Sequence, residues 1–186
     1  MQRALVEMAQ SGDEEAFGAL VRAAGDRLMA IAFRILRDAG LAEDVVQQTL
    51  VIAWRELPAL RDLDRFDAWL HRTLVNACYA ESRRARRWSA NVRLLPMEGP
   101  GGRDEMADIA HRDELERGFR RLPVDQRTVF VFHHYLGMDH QEIADELAIP
   151  VGTVKSRLHY AMHAMRAALE ADARPAPGPE RKERRA

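Results

Sequence analysis

Two groups of side chains could do chemistry on a polyanion. Thr153, Lys155, Ser156, Arg157 and His159 crowd the start of one helical segment, and Arg83, Arg84, Arg86 and Arg87 crowd the end of another. Hydroxyl, ammonium and guanidinium groups supply donors that suit phosphate oxygens and base edges. The 7 histidines offer little to a metal. His133 and His134 are adjacent and point to different helix faces. His159 and His163 lie at i, i+4, but no carboxylate or cysteine sits at a neighbouring ligand spacing. There is no P-loop, no G-x-S-x-G and no H-E-x-x-H, and Cys78, inside an apolar stretch, reads as a small core residue. The sequence therefore predicts no enzyme, no cofactor and no metal site.

The first group needs a scaffold that presents it. His140 to Leu147 has the spacing of a short helix, Ala148-Ile149-Pro150 breaks it, and Val151 to Leu158 begins another. Ile143, Ala144 and Leu147 would then face Val154 and Leu158 across a tight turn, with the small Ala144 allowing close approach. Pro150 suits the first turn of the second helix, where its missing N–H costs nothing. This is helix-turn-helix form, and it points the Thr153 to His159 set toward a major groove. Apolar spacing alone fits a plain helical hairpin equally well. The Thr/Lys/Ser/Arg cluster at the helix start favours DNA.

Charge supports the same ligand class despite a net charge of −1 over 186 residues. Residues 65–93 carry 7 basic and 2 acidic side chains, or +5, and residues 94–116 carry 2 and 7, or −5. Blocks of alternating sign imply separate working surfaces, one of them basic enough to hold phosphates. One cysteine excludes a disulfide scaffold and a four-thiolate zinc site, and suits a cytoplasmic location. Charge interrupts every apolar run, as in LMAIAFRIL, well short of the ~20 residues that a membrane helix needs, so no membrane insertion is expected. The opening MQRALVEMAQSGDEE lacks the blocks of a signal peptide.

Apolar residues recur at helical intervals almost throughout, as in Leu28, Ile31, Ala32 and Ile35, and no segment alternates with period two. Ser11-Gly12-Asp13, Gly25, Asp38-Ala39-Gly40 and Pro58 read as caps or stops. The fold class is all-α, with two small helical domains joined by a flexible linker. The first domain spans residues 1–87. Residues 88–110, with Gly99-Pro100-Gly101-Gly102, form the linker, residues 111–172 the helix-turn-helix domain, and residues 173–186 a disordered tail. Such a connector predicts domains that are not fixed relative to each other, with its acidic stretch free to fold back on Arg83 to Arg87.

The string LPVDQRTVFVFHHYLGMDHQEIADELAIPVGTVKSRL, Leu122 to Leu158, resembles region 4 of bacterial RNA polymerase sigma factors of the extracytoplasmic-function (ECF) subfamily. AEDVVQQTLVIAW, Ala42 to Trp54, followed by FDAWLHRTLVNACYAESRRARR, Phe66 to Arg87, resembles region 2 of the same subfamily. Together the two cover most of residues 10–170.

The resemblance implies a sigma factor that binds core RNA polymerase, directs it to promoters and initiates transcription. The alternative is a free-standing helix-turn-helix regulator. In the family, the helix matching Asp44 to Trp54 docks on the clamp helices of the polymerase β′ subunit. Asp44, Gln47 and Gln48 form one polar edge there, beside a Val45, Leu50 and Trp54 stripe expected to be buried. The helix from about 65 to 87 would handle the minus-ten element through Arg72, Asn76, Glu81, Arg83, Arg84, Arg86 and Arg87. Thr153, Lys155, Ser156, Arg157 and His159 would meet the minus-thirty-five element. Promoter DNA and an anti-sigma factor are the other expected partners. Gln48 stands where an acidic residue is usual, Leu50 where Phe is usual, and Ala80 where Asp or Asn is frequent.

Overall fold

A computed structural model describes residues 2–91 and 116–172, and every regular element among them is helical. The helices are α1 (Gln2–Gln10), α2 (Glu14–Leu36), α3 (Ala39–Glu56) and α4 (Phe66–Asn91), then a helical stretch at 116–121, α5 (Val124–His134), α6 (His140–Leu147) and α7 (Val151–Asp172). Two short 3-10 turns, Leu57–Ala59 and Leu63–Arg65, join α3 to α4.

The breaks follow local chemistry. Gly12, at φ +94°, takes the chain out of α1, and the Asp13 carboxylate accepts from Ala16 N at 3.0 Å to start α2. Arg37, at φ 60°, ends α2, and Asp38 caps α3 by accepting from Leu41 N at 2.9 Å. Gly25 breaks nothing and lies in mid-helix. α4 runs on to Asn91, past the expected domain end at 87, because no glycine or proline interrupts Trp88 to Asn91. The rest of the expected linker and the tail lie outside the described residues.

In the first domain Leu28, Ile31 and Ile35 of α2 pack with Val45 and Ala53 of α3, Leu70, Leu74 and Cys78 of α4, and Val6 of α1, all essentially inaccessible. In the second, Val129 and Phe132 of α5, Ile143 and Ala144 of α6, and Val154 and Ala161 of α7 do the same. Apart from Ala161, the two sets belong to one continuous apolar cluster.

Continuity arises because the domains pack directly on each other: α2 meets α5, and α4 meets both α5 and α6. Arg127 of α5 donates to Ile35 O at 2.5 Å across the interface. Arg37 grips Glu116 through two guanidinium nitrogens. His71 Nδ1 lies 2.5 Å from Glu146 Oε1, with its ring edge-on to Phe132. Free relative movement is thus not the arrangement found. Side chains more than 70 positions apart close the gap.

Candidate nucleic-acid interface

The helix-turn-helix unit is built by its caps. Asp139 accepts from Gln141 N at 2.7 Å and Glu142 N at 2.8 Å, while the Glu142 carboxylate accepts from Asp139 N at 2.7 Å. This reciprocal box fixes where α6 begins. Ala148, at φ 52°, ends it in the left-handed region, where a Cβ costs roughly 1–2 kcal/mol. Ile149 N donates to Ala144 O at 3.0 Å. Pro150 stands just ahead of α7 rather than inside its first turn, and its carbonyl accepts from Thr153 N at 2.8 Å. Ile143, Ala144 and Val154 close the expected contact, with Leu147 half-buried beside them.

On α7, Lys155, Ser156 and His159 are exposed and Thr153 is half-buried. Ser156 Oγ donates to Thr153 O at 3.0 Å. Arg157 is not free: its Nε lies 3.2 Å from the Asp125 carboxylate of α5. Sequence reasoning missed Tyr160, which is 61% exposed one turn beyond Ser156. The i, i+4 spacing from Ser156 was the available signal.

A second basic surface runs along α4. Arg72, Asn76, Arg83 and Arg87 are exposed and fall at i, i+4, i+11 and i+15, one stripe about 22 Å long at 1.5 Å per residue. Arg86 flanks it. Glu81 does not join: it is half-buried on the opposite side, 3.5 Å from Arg84 Nη1. Phe66 and Leu70 of the same helix are core, and Trp69 is half-buried.

On α3, Asp44, Gln47 and Gln48 form an exposed edge. Val45 is buried beneath it, but Trp54 is 37% exposed and tilts against Phe17 at 4.9 Å, so it is not the buried residue expected. With Val51, 58% exposed, it extends the polar edge by an apolar pair. No group of three or more metal-ligating side chains occurs among the described residues.

Comparison with known proteins bears directly on these surfaces. The family described as Sigma-70 region 2 matches residues 20–88, and Sigma-70 region 4 matches residues 112–165. The RNA polymerase sigma-H factor of Pseudomonas aeruginosa is 32% identical over 178 residues, covering 89% of this chain and 92% of the relative. The ECF RNA polymerase sigma factor SigL of Mycobacterium tuberculosis is 35% identical over 168 residues, covering 86% and 94%. The chain belongs to the ECF subfamily of sigma factors. Among solved structures, CnrH in complex with the cytosolic domain of CnrY is 31% identical to this sigma factor, with a TM-score of 0.64 over 92% of this chain and 99% of that one. RpoE of Bartonella quintana, solved with the anti-sigma factor NepR, shares the fold at 23% identity and a TM-score of 0.66 over 84% and 98%. Region 2 of this sigma factor holds the α3 edge and the α4 stripe, and region 4 holds the helix-turn-helix.

Proposed function

We propose that this ECF sigma factor binds core RNA polymerase, directs it to specific promoters and starts transcription there by helping the strands part. The observation that carries the reading is the pairing of two separate basic or donor-rich faces, the α4 stripe and the α7 N-terminal turns, on the two sigma regions of one chain. Single-stranded DNA is held by cations that track phosphates, while duplex DNA is read by a helix in the major groove. Arg72, Asn76, Arg83, Arg86 and Arg87 take the minus-ten strand, with Asn76 positioned to hydrogen-bond a base edge. Glu81 holds Arg84 and contacts no DNA. Thr153, Lys155, Ser156, Arg157 and His159 take the minus-thirty-five element, Arg157 after leaving Asp125.

Asp44, Gln47 and Gln48, extended by Val51 and Trp54, dock on the β′ clamp helices. An exposed edge of this kind has no task in a free-standing helix-turn-helix regulator, which is why the polymerase reading is preferred. CnrH is seen in complex with the cytosolic domain of CnrY and RpoE with the anti-sigma factor NepR, which supports an anti-sigma factor as a further partner. No described helix is long and apolar enough to cross a membrane, and the chain works where polymerase and DNA are, in the cytoplasm. The deciding experiment adds the purified chain to core polymerase and genomic promoter fragments. Co-elution with core and promoter-dependent transcripts are expected, and binding to duplex DNA without either would favour the regulator.

A further inference from the structure

A cavity of about 370 Å³ opens where the end of α2 and the start of α3 meet α4 and the segment that enters α5. Region 2 supplies Ser82 and Arg86 to its wall, and region 4 supplies Arg120, Arg121 and Arg127. No carboxylate lines it among the described residues. Glu116 accepts from Arg120 at 2.9 Å but is shared with Arg37, so one anion answers two cations. The Arg121 side chain is exposed and has no ion pair or hydrogen bond among the described residues. Burial, then the charges of Arg37, Arg86 and Arg120, lower the pKa of Arg127 to about 10, the mark of a place crowded with positive charge.

Unused donors complete the wall. Arg127 is only 8% exposed, and its two terminal nitrogens hold the carbonyls of Ile35, Arg120 and Leu122, yet its Nε has no acceptor among the described residues. A buried donor so left is uncommon enough to ask for a partner. The helix α5 also begins here: Pro123 and Val124 line the cavity, and no side chain caps this 11-residue helix. The N–H groups of its first turn are therefore open to an anion, which the helix dipole favours. Asp125 of that turn does not compete, since it is not part of the cavity wall and pairs with Arg157 at 3.2 Å. The end of α2 brings carbonyls to the same place, but Ile35 O is held by Arg127 and Phe33 O by the Arg37 N–H.

We infer that this cavity binds a diphosphate group, either inorganic or carried by a nucleotide, through Arg86, Arg120 and Arg121, with the α5 N-terminus and Arg127 Nε completing its donors. Arginine forks match phosphate oxygens in pairs, and a diphosphate gathers several charges within a volume that the cavity holds. A DNA strand spreads its charge along its length, one per phosphate, and suits the α4 stripe better. Leu36, Leu41 and Leu122 add an apolar wall against which a nucleoside can lie. Since both regions line the cavity, a bound diphosphate ties them together and stabilises the folded chain by mass action. The site needs neither polymerase nor promoter, so it stands or falls apart from the sigma-factor reading.

The test titrates the full chain with pyrophosphate by calorimetry, at constant ionic strength and without divalent cations. One equivalent should bind, roughly tenfold more tightly than orthophosphate or sulfate, which cannot reach as many of the arginines. Saturating pyrophosphate should also raise the urea midpoint of the wild-type chain. Arg121→Gln, at an exposed position with nothing to lose in the fold, should weaken binding roughly tenfold, the value of one charge-assisted hydrogen bond. Arg120→Gln with Arg121→Gln should weaken it further and abolish the rise in midpoint. Arg22→Gln with Arg55→Gln, exposed arginines outside the cavity, should leave affinity unchanged. ADP separates the two sources of the group: binding tighter than pyrophosphate assigns the apolar wall to a nucleoside, and weaker binding assigns the cavity to the inorganic ion. Sulfate bound as tightly as pyrophosphate means an adventitious ion only and overturns the inference, as does affinity that survives loss of Arg120 and Arg121. Binding that emerges only when Glu98, Asp104, Glu105 and Asp108 are neutralised gives the cavity to the chain's own acidic segment and overturns it too.

Discussion

Arg127 donates to the main-chain carbonyl of Ile35, 92 positions earlier, at 2.5 Å. Its second terminal nitrogen meets Arg120 O and Leu122 O, each at 2.9 Å, so one guanidinium ties region 4 to its own entry segment and to the end of α2. Burial, aided by Arg37, Arg86 and Arg120, lowers its pKa to about 10, which still leaves it charged at neutral pH. Three carbonyls at a helix end and a turn replace the water it gave up. Arg127→Met should therefore cost about 3 kcal/mol in urea melts and lengthen the distance between domains. A melt matching wild type would show that these bonds merely replace equivalent ones to water.

The α3 edge makes a sharper distinction between folding and assembly. Asp44, Gln47 and Gln48 touch nothing that the fold requires, so Asp44→Arg with Gln48→Arg should change stability by no more than about 0.5 kcal/mol. Co-elution with core polymerase should weaken markedly. Val51→Glu should weaken it further, because it places a charge at the centre of an apolar pair. Retention of full co-elution in the charge-reversed protein would assign the docking surface elsewhere.

For the upstream element, the Asp125 to Arg157 pair sets the starting condition. At 3.2 Å and part-exposed it is worth at most about 1 kcal/mol, little enough for DNA to break. Lys155→Ala and Arg157→Ala should separate readers from phosphate contacts across a panel of promoter mutants. A bidentate base contact loses about 1–3 kcal/mol and relaxes preference at one position, whereas a phosphate contact weakens every sequence alike. Asp125→Asn should tighten binding slightly by releasing Arg157. Tyr160→Ala should weaken binding to all sequences alike, as its place beyond the base-reading turns implies. Full promoter activity in both the Lys155 and Arg157 variants would remove α7 from the DNA.

Local chemistry was readable from the chain, and distant pairing was not. Turn residues placed the breaks between α1 and α2, α2 and α3, and α6 and α7, because Gly12, Asp13, Asp38 and Pro150 act on their immediate neighbours. The helix-turn-helix followed from two short helical segments, the break at Ala148-Ile149-Pro150 and the Thr/Lys/Ser/Arg cluster taken together. His71 with Glu146 and Arg127 with Ile35 are joined across 75 and 92 positions, and nothing in either segment announces the other. Trp54 was taken as buried because aromatic residues at helical spacing usually are. Its neighbour Phe17 fills the space below and leaves one side in solvent.

Cys78 gives a prediction whose sign follows from burial. The thiol is inaccessible among the apolar side chains of α4, and desolvation pushes its pKa up to about 12 from an ordinary value near 9. Above pH 9 the unfolded chain therefore gives up a proton that the folded chain keeps, and the equilibrium shifts toward unfolding. The stability owed to a neutral buried thiol is fully present below pH 9 and is lost as pH rises toward 12, on the order of 4 kcal/mol over the whole interval. Other groups also titrate there, so the measurement is a difference: wild type against Cys78→Ala, melted in urea at pH 8 and again at pH 10.5. Alanine leaves a small cavity, so wild type should be the more stable at pH 8. By pH 10.5 that advantage should shrink by about 2 kcal/mol or reverse. A thiol reagent at pH 8 should label one cysteine in urea and none in the folded protein. An advantage that stays constant with pH, together with ready labelling of the folded chain, would place Cys78 at the surface instead of in the core.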